Sequence, residues 1–297
     1  MGAIKHLIAA VKRGLGLHRP GRSLLILPDD IFLVSFPKSG NTWARFLLAN
    51  LLYPEQSATF ANLHRLIPDP MATSKRDFDR MRRPRIIKSH GCFDHRYRRV
   101  VYIVRDPRDV AVSQYHYHRK LRKIEDDCPI EHFVARFLAG ETCGQSWGQN
   151  VLTWLVTREG DPRFLRLRYE DMVADTGHEL KKIAAFVGTN VTAEQIARAV
   201  ERSLPSRMRK MEQVDSDKCG LTKDSRKDLL FVRAASAGGW RSELPTALVA
   251  QIEGAWAPIM RHLGYDLLTQ DASKLDDLPL LARSQAPLSA FDNACQG

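Results

Sequence analysis

Three separated stretches of the 297-residue chain carry side chains able to grip and transfer an anionic group. Phe36-Pro37-Lys38-Ser39-Gly40-Asn41-Thr42-Trp43 sets one cation and three short polar side chains around a glycine. Lys88-Ser89-His90 joins an ammonium to an imidazole, the side chain that titrates nearest neutrality and so accepts a proton readily. Arg105 offers a planar guanidinium fork suited to phosphate oxygens, with Ser113 shortly after it. The first stretch falls between an apolar run and a helical pattern. A helix N-terminus there presents unpaired N–H groups and a positive dipole end, which suits a phosphate. It is not a Walker A loop, which needs GxxxxGK[ST] with the lysine after the second glycine. Lys38 precedes the only glycine. Taken alone, the stretch fits a phosphate loop or an ordinary turn.

The elements that position these stretches follow from the hydrophobic pattern. Ile31–Phe36 is short, apolar and partly β-branched and aromatic, and it stops at Pro37, as a buried strand does. From Thr42 onward, Trp43, Phe46, Leu47, Asn50 and Leu51 recur at helical spacing. Arg85–Lys88, Val100–Val104 and Phe164–Arg168 read as further strands. Asp106 can cap a helix with Pro107 in its first position, running through Val110, Val112 and Tyr115 toward Lys123. Strands alternating with helices imply an α/β fold, with a mainly parallel central sheet flanked by helices on both faces. Ligands of such sheets bind beyond the carboxyl ends of the strands. Residues 37–42, 89–90 and 105–106 all fall at such ends and should meet in one crevice. The second half is mostly helical. Asp175–Phe186 ends at Val187-Gly188, Thr192–Gln195 spells a capping box, 214–237 reads as a long loop, and Leu248–Leu263 stops at Gly264. The expected organisation is an amphipathic N-terminal segment over 1–23, one domain over 24–270 and a mobile tail over 271–297.

Composition narrows the function classes. Hydrophobic residues make up 44% and charged residues 27%, a globular mix that excludes a wholly disordered chain. Apolar stretches such as Phe46–Tyr53 are far shorter than the roughly 20 residues that span a bilayer. The N-terminus lacks a signal-peptide pattern, so a cytoplasmic location is expected. Cysteines 92, 128, 143, 219 and 295 are odd in number and show no CxxC pairing, which argues against a structural zinc site or a full disulfide framework. The net charge of +11 suits nucleic acid, a membrane surface or a small polyanion, and does not choose among them.

The ordered motifs decide between these readings. Pro37–Trp43, Lys88–His90, Arg105–Ser113, Arg168-Tyr169-Glu170-Asp171 and Gly239-Trp240-Arg241 follow one another over about residues 30–268. Together they resemble the sulfotransferases that use 3′-phosphoadenosine 5′-phosphosulfate (PAPS). The resemblance implies a P-loop-like three-layer α/β fold and sulfuryl transfer from PAPS to a hydroxyl or amine. It implies that Lys38, Ser39, Gly40, Asn41, Thr42 and Trp43 form the 5′-phosphosulfate loop, with Trp43 stacked on the adenine. Arg105 and Ser113 match the residues that hold the 3′-phosphate, Arg233 matches a second arginine there, and Tyr169 matches a tyrosine beside the adenine. His90 resembles the family's catalytic base, with Lys38 and Lys88 on sulfonyl and bridging oxygens. No metal is implied. The chain departs from the family where Arg233-Ala234-Ala235 replaces Arg-Lys-Gly, and where Pro205 replaces an aromatic that flanks the adenine. Ser203 is expected to keep a polar contact.

Two rival readings remain on residue grounds. A P-loop nucleotide kinase would place Mg²⁺ on Asp106 or Asp109, and a nucleic-acid or heparin-binding module would use Arg80–Lys88 and Arg96–Arg99. The latter lack interleaved aromatic platforms for bases, so no nucleic-acid partner is expected. His116 and His118 lie on one helix and face apart, which disfavours a shared metal. The acceptor is expected to be a small molecule or saccharide. Arg80, Arg82, Arg83, Arg119, Lys120, Arg122 and Lys123 flank the expected mouth in sequence and suggest a polar or anionic acceptor. The segments 53–84, 119–150 and 212–237 are the expected acceptor loops.

Overall fold

The computed structural model describes residues 15, 19–215 and 225–269. The N-terminal amphipathic helix expectation falls mainly outside these residues, and the tail 271–297 falls wholly outside them. Four strands, β1 (Ile31–Ser35), β2 (Ile86–Ser89), β3 (Arg99–Val104) and β4 (Phe164–Arg168), form one sheet in the order β2-β1-β3-β4. Every neighbouring pair is parallel, with Leu33 opposite both Lys88 and Val101. The helices of the first half are α1 (Asn41–Leu52), α2 (Leu63–Leu66), α3 (Lys75–Asp79), α4 (Pro107–Lys120), α5 (Ile130–Leu138) and α6 (Trp147–Arg158). Those of the second half are α7 (Tyr169–Ala174), α8 (Thr176–Val187), α9 (Ala193–Arg202), α10 (Pro205–Asp215), α11 (Trp240–Glu243) and α12 (Thr246–His262).

The sheet separates two cores, and side-chain alternation along each strand explains why. Phe32 and Val34 of β1, with Val100, Tyr102 and Val104 of β3, face a cluster completed by Phe133, Trp147, Trp154 and Trp256. Ile31 and Leu33, with Val101 and Ile103, face the opposite cluster, which holds Phe46, Leu47, Tyr169 and Ile183. Each fully buried side chain of this size contributes about 1.5–3 kcal/mol, so both layers are anchored to the sheet by its central strands. This is the three-layer α/β architecture with a wholly parallel sheet among the described residues. β1 is followed by β2 on one side and β3 by β4 on the other, so the connections from these two adjacent strands leave in opposite directions. A crevice opens at such a switch point, beyond the carboxyl end of β1.

Local signals explain most boundaries. Asp106 caps α4 through the N–H of Arg108, with Pro107 first in the helix. Thr192 and Gln195 form the reciprocal capping box of α9. Gly188 closes α8 in the left-handed region. Three features differ from expectation. Helix α4 stops at Lys120 rather than near Lys123, because Arg122 takes a left-handed φ of 53°. The expected loop over 119–150 contains α5, whose Phe133, Val134 and Phe137 form a buried helical stripe. Helix α12 begins at Thr246 and bends at Trp256, where Pro258 removes a backbone donor. No helix among the described residues is long and apolar enough to cross a membrane.

Candidate active site

The crevice beyond β1 holds a cavity of about 300 Å³. Eleven of the thirteen expected site residues line it: Lys38, Gly40, Asn41, Thr42, Trp43, Lys88, His90, Arg105, Ser113, Tyr169 and Arg233. They come from five places in the chain, namely the β1–α1 turn, the end of β2, the β3–α4 junction, the start of α7, and the segment before α11. Ser39 and Ser203 do not line it. Both are fully buried. The Ser203 hydroxyl accepts a hydrogen bond from Asn50 Nδ2 at 3.0 Å, and its carbonyl accepts the Trp43 indole N–H at 3.1 Å. The polar contact expected of Ser203 is therefore to the back of Trp43, which it helps to orient.

The β1–α1 turn is shaped for close approach. Gly40 caps α1 with φ 97°, and a Cβ there would lie 2.5 Å from the Tyr169 ring. Only glycine satisfies both constraints. The first N–H groups of α1 have no acceptor within the helix and are available to an anion. Asn41 spends its amide donor on the Leu33 carbonyl at 3.1 Å, so it ties the turn to β1. Its Oδ1 is buried without a partner, as is Ser39 Oγ. Lys38 also sits at positive φ, 70°, and its Nζ lies 4.3 Å from the Tyr117 ring centre and 4.0 Å from that of Phe231. Burial, with Arg105 and Arg233 nearby, pulls its ammonium down to about 7.

His90 is held in one tautomer. Its Nδ1 lies 2.7 Å from the Ser35 carbonyl oxygen, which can only accept. Nδ1 therefore carries the hydrogen, and Nε2 keeps a lone pair. The His90 carbonyl accepts from Gln145 Nε2 at 2.6 Å and Asn150 Nδ2 at 3.2 Å. Asn150 is fixed in turn by the Tyr102 hydroxyl at 2.8 Å. Burial, then the positive charge of Lys88, pushes the His90 imidazole down to about 3, so it is neutral at pH 7. Lys88 is bound to Asp69, with Nζ 2.5 Å from Oδ2.

The arginines are each half committed. Arg105 donates to the Lys38 carbonyl at 3.2 Å and the Ser236 carbonyl at 3.0 Å, and its guanidinium lies 4.2 Å from the Tyr169 ring centre. Its Nε is buried without a partner. Arg233 pairs with Glu243 at 2.8 Å, and Glu243 meets His116 at 2.5 Å through its other oxygen. Nη1 of Arg233 is likewise unpartnered. Trp43 and Tyr169 stand edge to face, 5.9 Å between ring centres at 70°. Two buried unpartnered guanidinium donors on residues that line the cavity, Arg105 Nε and Arg233 Nη1, fit a ligand bearing anionic oxygens. The paired aromatics fit a flat ring system.

Several residues here were not expected from the sequence. Phe231 and Val232, which line the cavity, hang on a clamp: their N–H groups donate to the two oxygens of Glu212 at 2.6 and 3.0 Å. Glu212 is paired with the buried Lys120 at 3.1 Å. A lysine in α4 and a glutamate in α10 give no local signal of this contact. The pair also removes Lys120 from the expected basic mouth. Arg83 and Arg119 face Asp29 and Asp126, and none of the seven basic residues lines the cavity. Asp106 and Asp109, which a kinase would give to Mg²⁺, are committed to Arg108 and to the N–H groups of Gly238 and Trp240. His118 is buried edge-on against Phe133, away from His116.

Residues 28–264 match the family model described as the sulfotransferase domain. Sulfotransferase 1A1 of Bos taurus is 28% identical over 258 residues, covering 81% of this chain and 86% of its own. Mouse sulfotransferase SULT7A1, solved in complex with PAP, is 28% identical with a TM-score of 0.65, covering 83% of this chain and 88% of its own. Retinol dehydratase in complex with retinol and PAP has the same fold, with a TM-score of 0.68 at 22% identity, covering 84% and 86%. The chain accordingly belongs to the sulfotransferase domain family, and is a PAPS-dependent sulfotransferase.

Proposed function

We propose that the cavity binds PAPS and directs its sulfuryl group, by in-line transfer, to a hydroxyl or amine of a small-molecule acceptor, with His90 as the base. The observation that carries this reading is the fixed His90 tautomer, whose free Nε2 belongs to a residue lining the same cavity as Lys38 and Lys88. The donor supplies an activated sulfuryl group and a good leaving group. The chain supplies the remaining requirements: position, charge and a proton acceptor. The α1 N-terminus and Lys38 hold the phosphosulfate. Arg105, Ser113 and Arg233 take the 3′-phosphate, while Trp43 and Tyr169 flank the adenine. Lys88 and Lys38 steady the oxygens on which charge accumulates. Negative charge brought in beside His90 and Lys38 raises the proton affinity of both, so the imidazole becomes a better base and the lysine a full cation.

Pro37, Val112, Tyr117 and Phe231 give the cavity apolar walls. The acceptor is then a small molecule with an apolar or aromatic body and one nucleophilic group, rather than a saccharide drawn in by surface charge. Nothing in this scheme calls on a metal. The test is incubation with ³⁵S-labelled PAPS and a panel of a phenol, an aliphatic alcohol, an amine and a glycoside. The expected result is labelled phenol or alcohol product with equal release of PAP. PAP release with no labelled product from any acceptor would overturn the transfer reading, and product from the glycoside alone would overturn the acceptor reading.

A further inference from the structure

Lys88 reaches the cavity from the end of β2, an edge strand of the sheet, and its side chain meets an acid that no motif points to. Asp69 is buried, and its side chain and that of Lys88 are 12% and 14% exposed. One oxygen, Oδ2, meets Lys88 Nζ at 2.5 Å. The other, Oδ1, accepts the N–H of Met71 at 2.9 Å. The carbonyl of Asp69 accepts the N–H groups of Ala72 and Thr73, and its own N–H donates to Thr73 Oγ1 at 3.1 Å. This turn is pinned to the strand by the Lys88 N–H, which donates to the Pro68 carbonyl at 2.8 Å. The backbone of Lys88 thus fixes the turn, and the turn returns a carboxylate to the side chain of Lys88.

We propose that Asp69 is a positioning residue for sulfuryl transfer, holding the Lys88 ammonium in its place on the cavity wall beside His90. The proposal rests on the reading that Lys88 acts in the reaction. A flexible four-carbon side chain would otherwise sample many positions, and a point charge is useful only at the oxygen it must stabilise. The pair also governs charge. The groups facing Lys88 are Asp69, the buried Arg45 of α1 and His90. Burial and Arg45 both push the Lys88 proton off, and Asp69 is the one group among these that retains it. Arg45 is itself fixed, donating twice to the Ile67 carbonyl two residues from Asp69. Without the carboxylate, Lys88 would lie beside another cation in a buried wall and lose its proton at lower pH.

Asp69→Asn tests this, since the amide oxygen can still accept from Met71 and preserve the turn. PAP lacks the sulfonate, so its affinity should stay within about twofold of the parent. With a working acceptor, kcat should fall about tenfold or more, and the alkaline limb of the kcat profile should move to lower pH by about one unit. Lys88→Arg supplies a cation that keeps its proton throughout. In that background the added Asp69→Asn change should move no limb, and a limb that moves there as it does in the single variant would overturn the proposal. An unmoved alkaline limb in Asp69→Asn, with kcat near the parent value, would overturn the proposal. Full activity in Lys88→Met would instead overturn the underlying role of Lys88.

Discussion

Arg105→Ala tests the proposed assignment of Arg105 to the 3′-phosphate. The guanidinium already has two partners, the carbonyls of Lys38 and Ser236, and its side chain is 13% exposed. Removing it loosens both carbonyls and the face of Tyr169, and that cost falls on every nucleotide alike. The excess cost for a 3′-phosphate is the loss of a charge-assisted contact, about 1.5–3 kcal/mol, or roughly 10–150-fold in affinity. Arg233 keeps its own contact through Nη1 but does not replace the lost fork, because Glu243 engages its Nη2 at 2.8 Å. Calorimetric titration of the variant with PAP and with 5′-AMP should therefore show PAP weakened at least about tenfold more than 5′-AMP. Arg105→Lys should recover the charge but lose the fork, giving an intermediate value. Equal weakening of the two ligands would refute the assignment of Arg105 to the 3′-phosphate.

Two further outcomes follow from the buried charges. Lys38, lowered to about 7 from its ordinary 10.5, is largely uncharged at pH 8 in the free protein, and an anionic donor should restore its proton. PAP binding at pH 8 should then take up a proton, seen as a dependence of binding heat on buffer ionisation enthalpy, and affinity should fall as pH rises from 7 to 9. Lys38→Met should abolish both effects. In the free protein the same group makes stability rise with pH between about 7 and 10.5, since the unfolded chain keeps a proton that the folded one has lost. Lys120→Met leaves Glu212 buried opposite no cation, and a urea titration should show a loss of about 3 kcal/mol, softened by the N–H groups that Glu212 still accepts. A loss below about 1 kcal/mol would show that the pair is not a clamp.

The sequence carried the sheet, since each strand is a short apolar run ending at a recognisable break, and the crevice follows from where those runs end. It brought Lys38, Gly40 and the α1 start together at the cavity because they are contiguous. What it hid is long-range partnership. Asp69 and Lys88 are 19 residues apart, and Lys120 and Glu212 are 92 apart, so no periodicity or motif joins them. The same holds for part of the expected basic mouth: Arg83 reads as free charge until Asp29 is folded against it. Ser203 misled for a related reason. A polar residue near the expected adenine site was expected to offer a contact to the ligand, whereas packing turned it inward to Asn50. Residues adjacent in sequence are legible, and side chains that meet only through tertiary packing are not.

The sharpest test of the account is the turnover of His90→Ala with a working acceptor, set beside its affinity for PAP. In the proposed reaction neutral Nε2 takes the acceptor proton, and PAP makes no demand on it. The account predicts that kcat falls by about 10²–10⁴-fold while the PAP dissociation constant stays within about twofold. A variant that keeps more than half of the parent kcat would contradict it and leave His90 a structural residue tied to the Ser35 carbonyl.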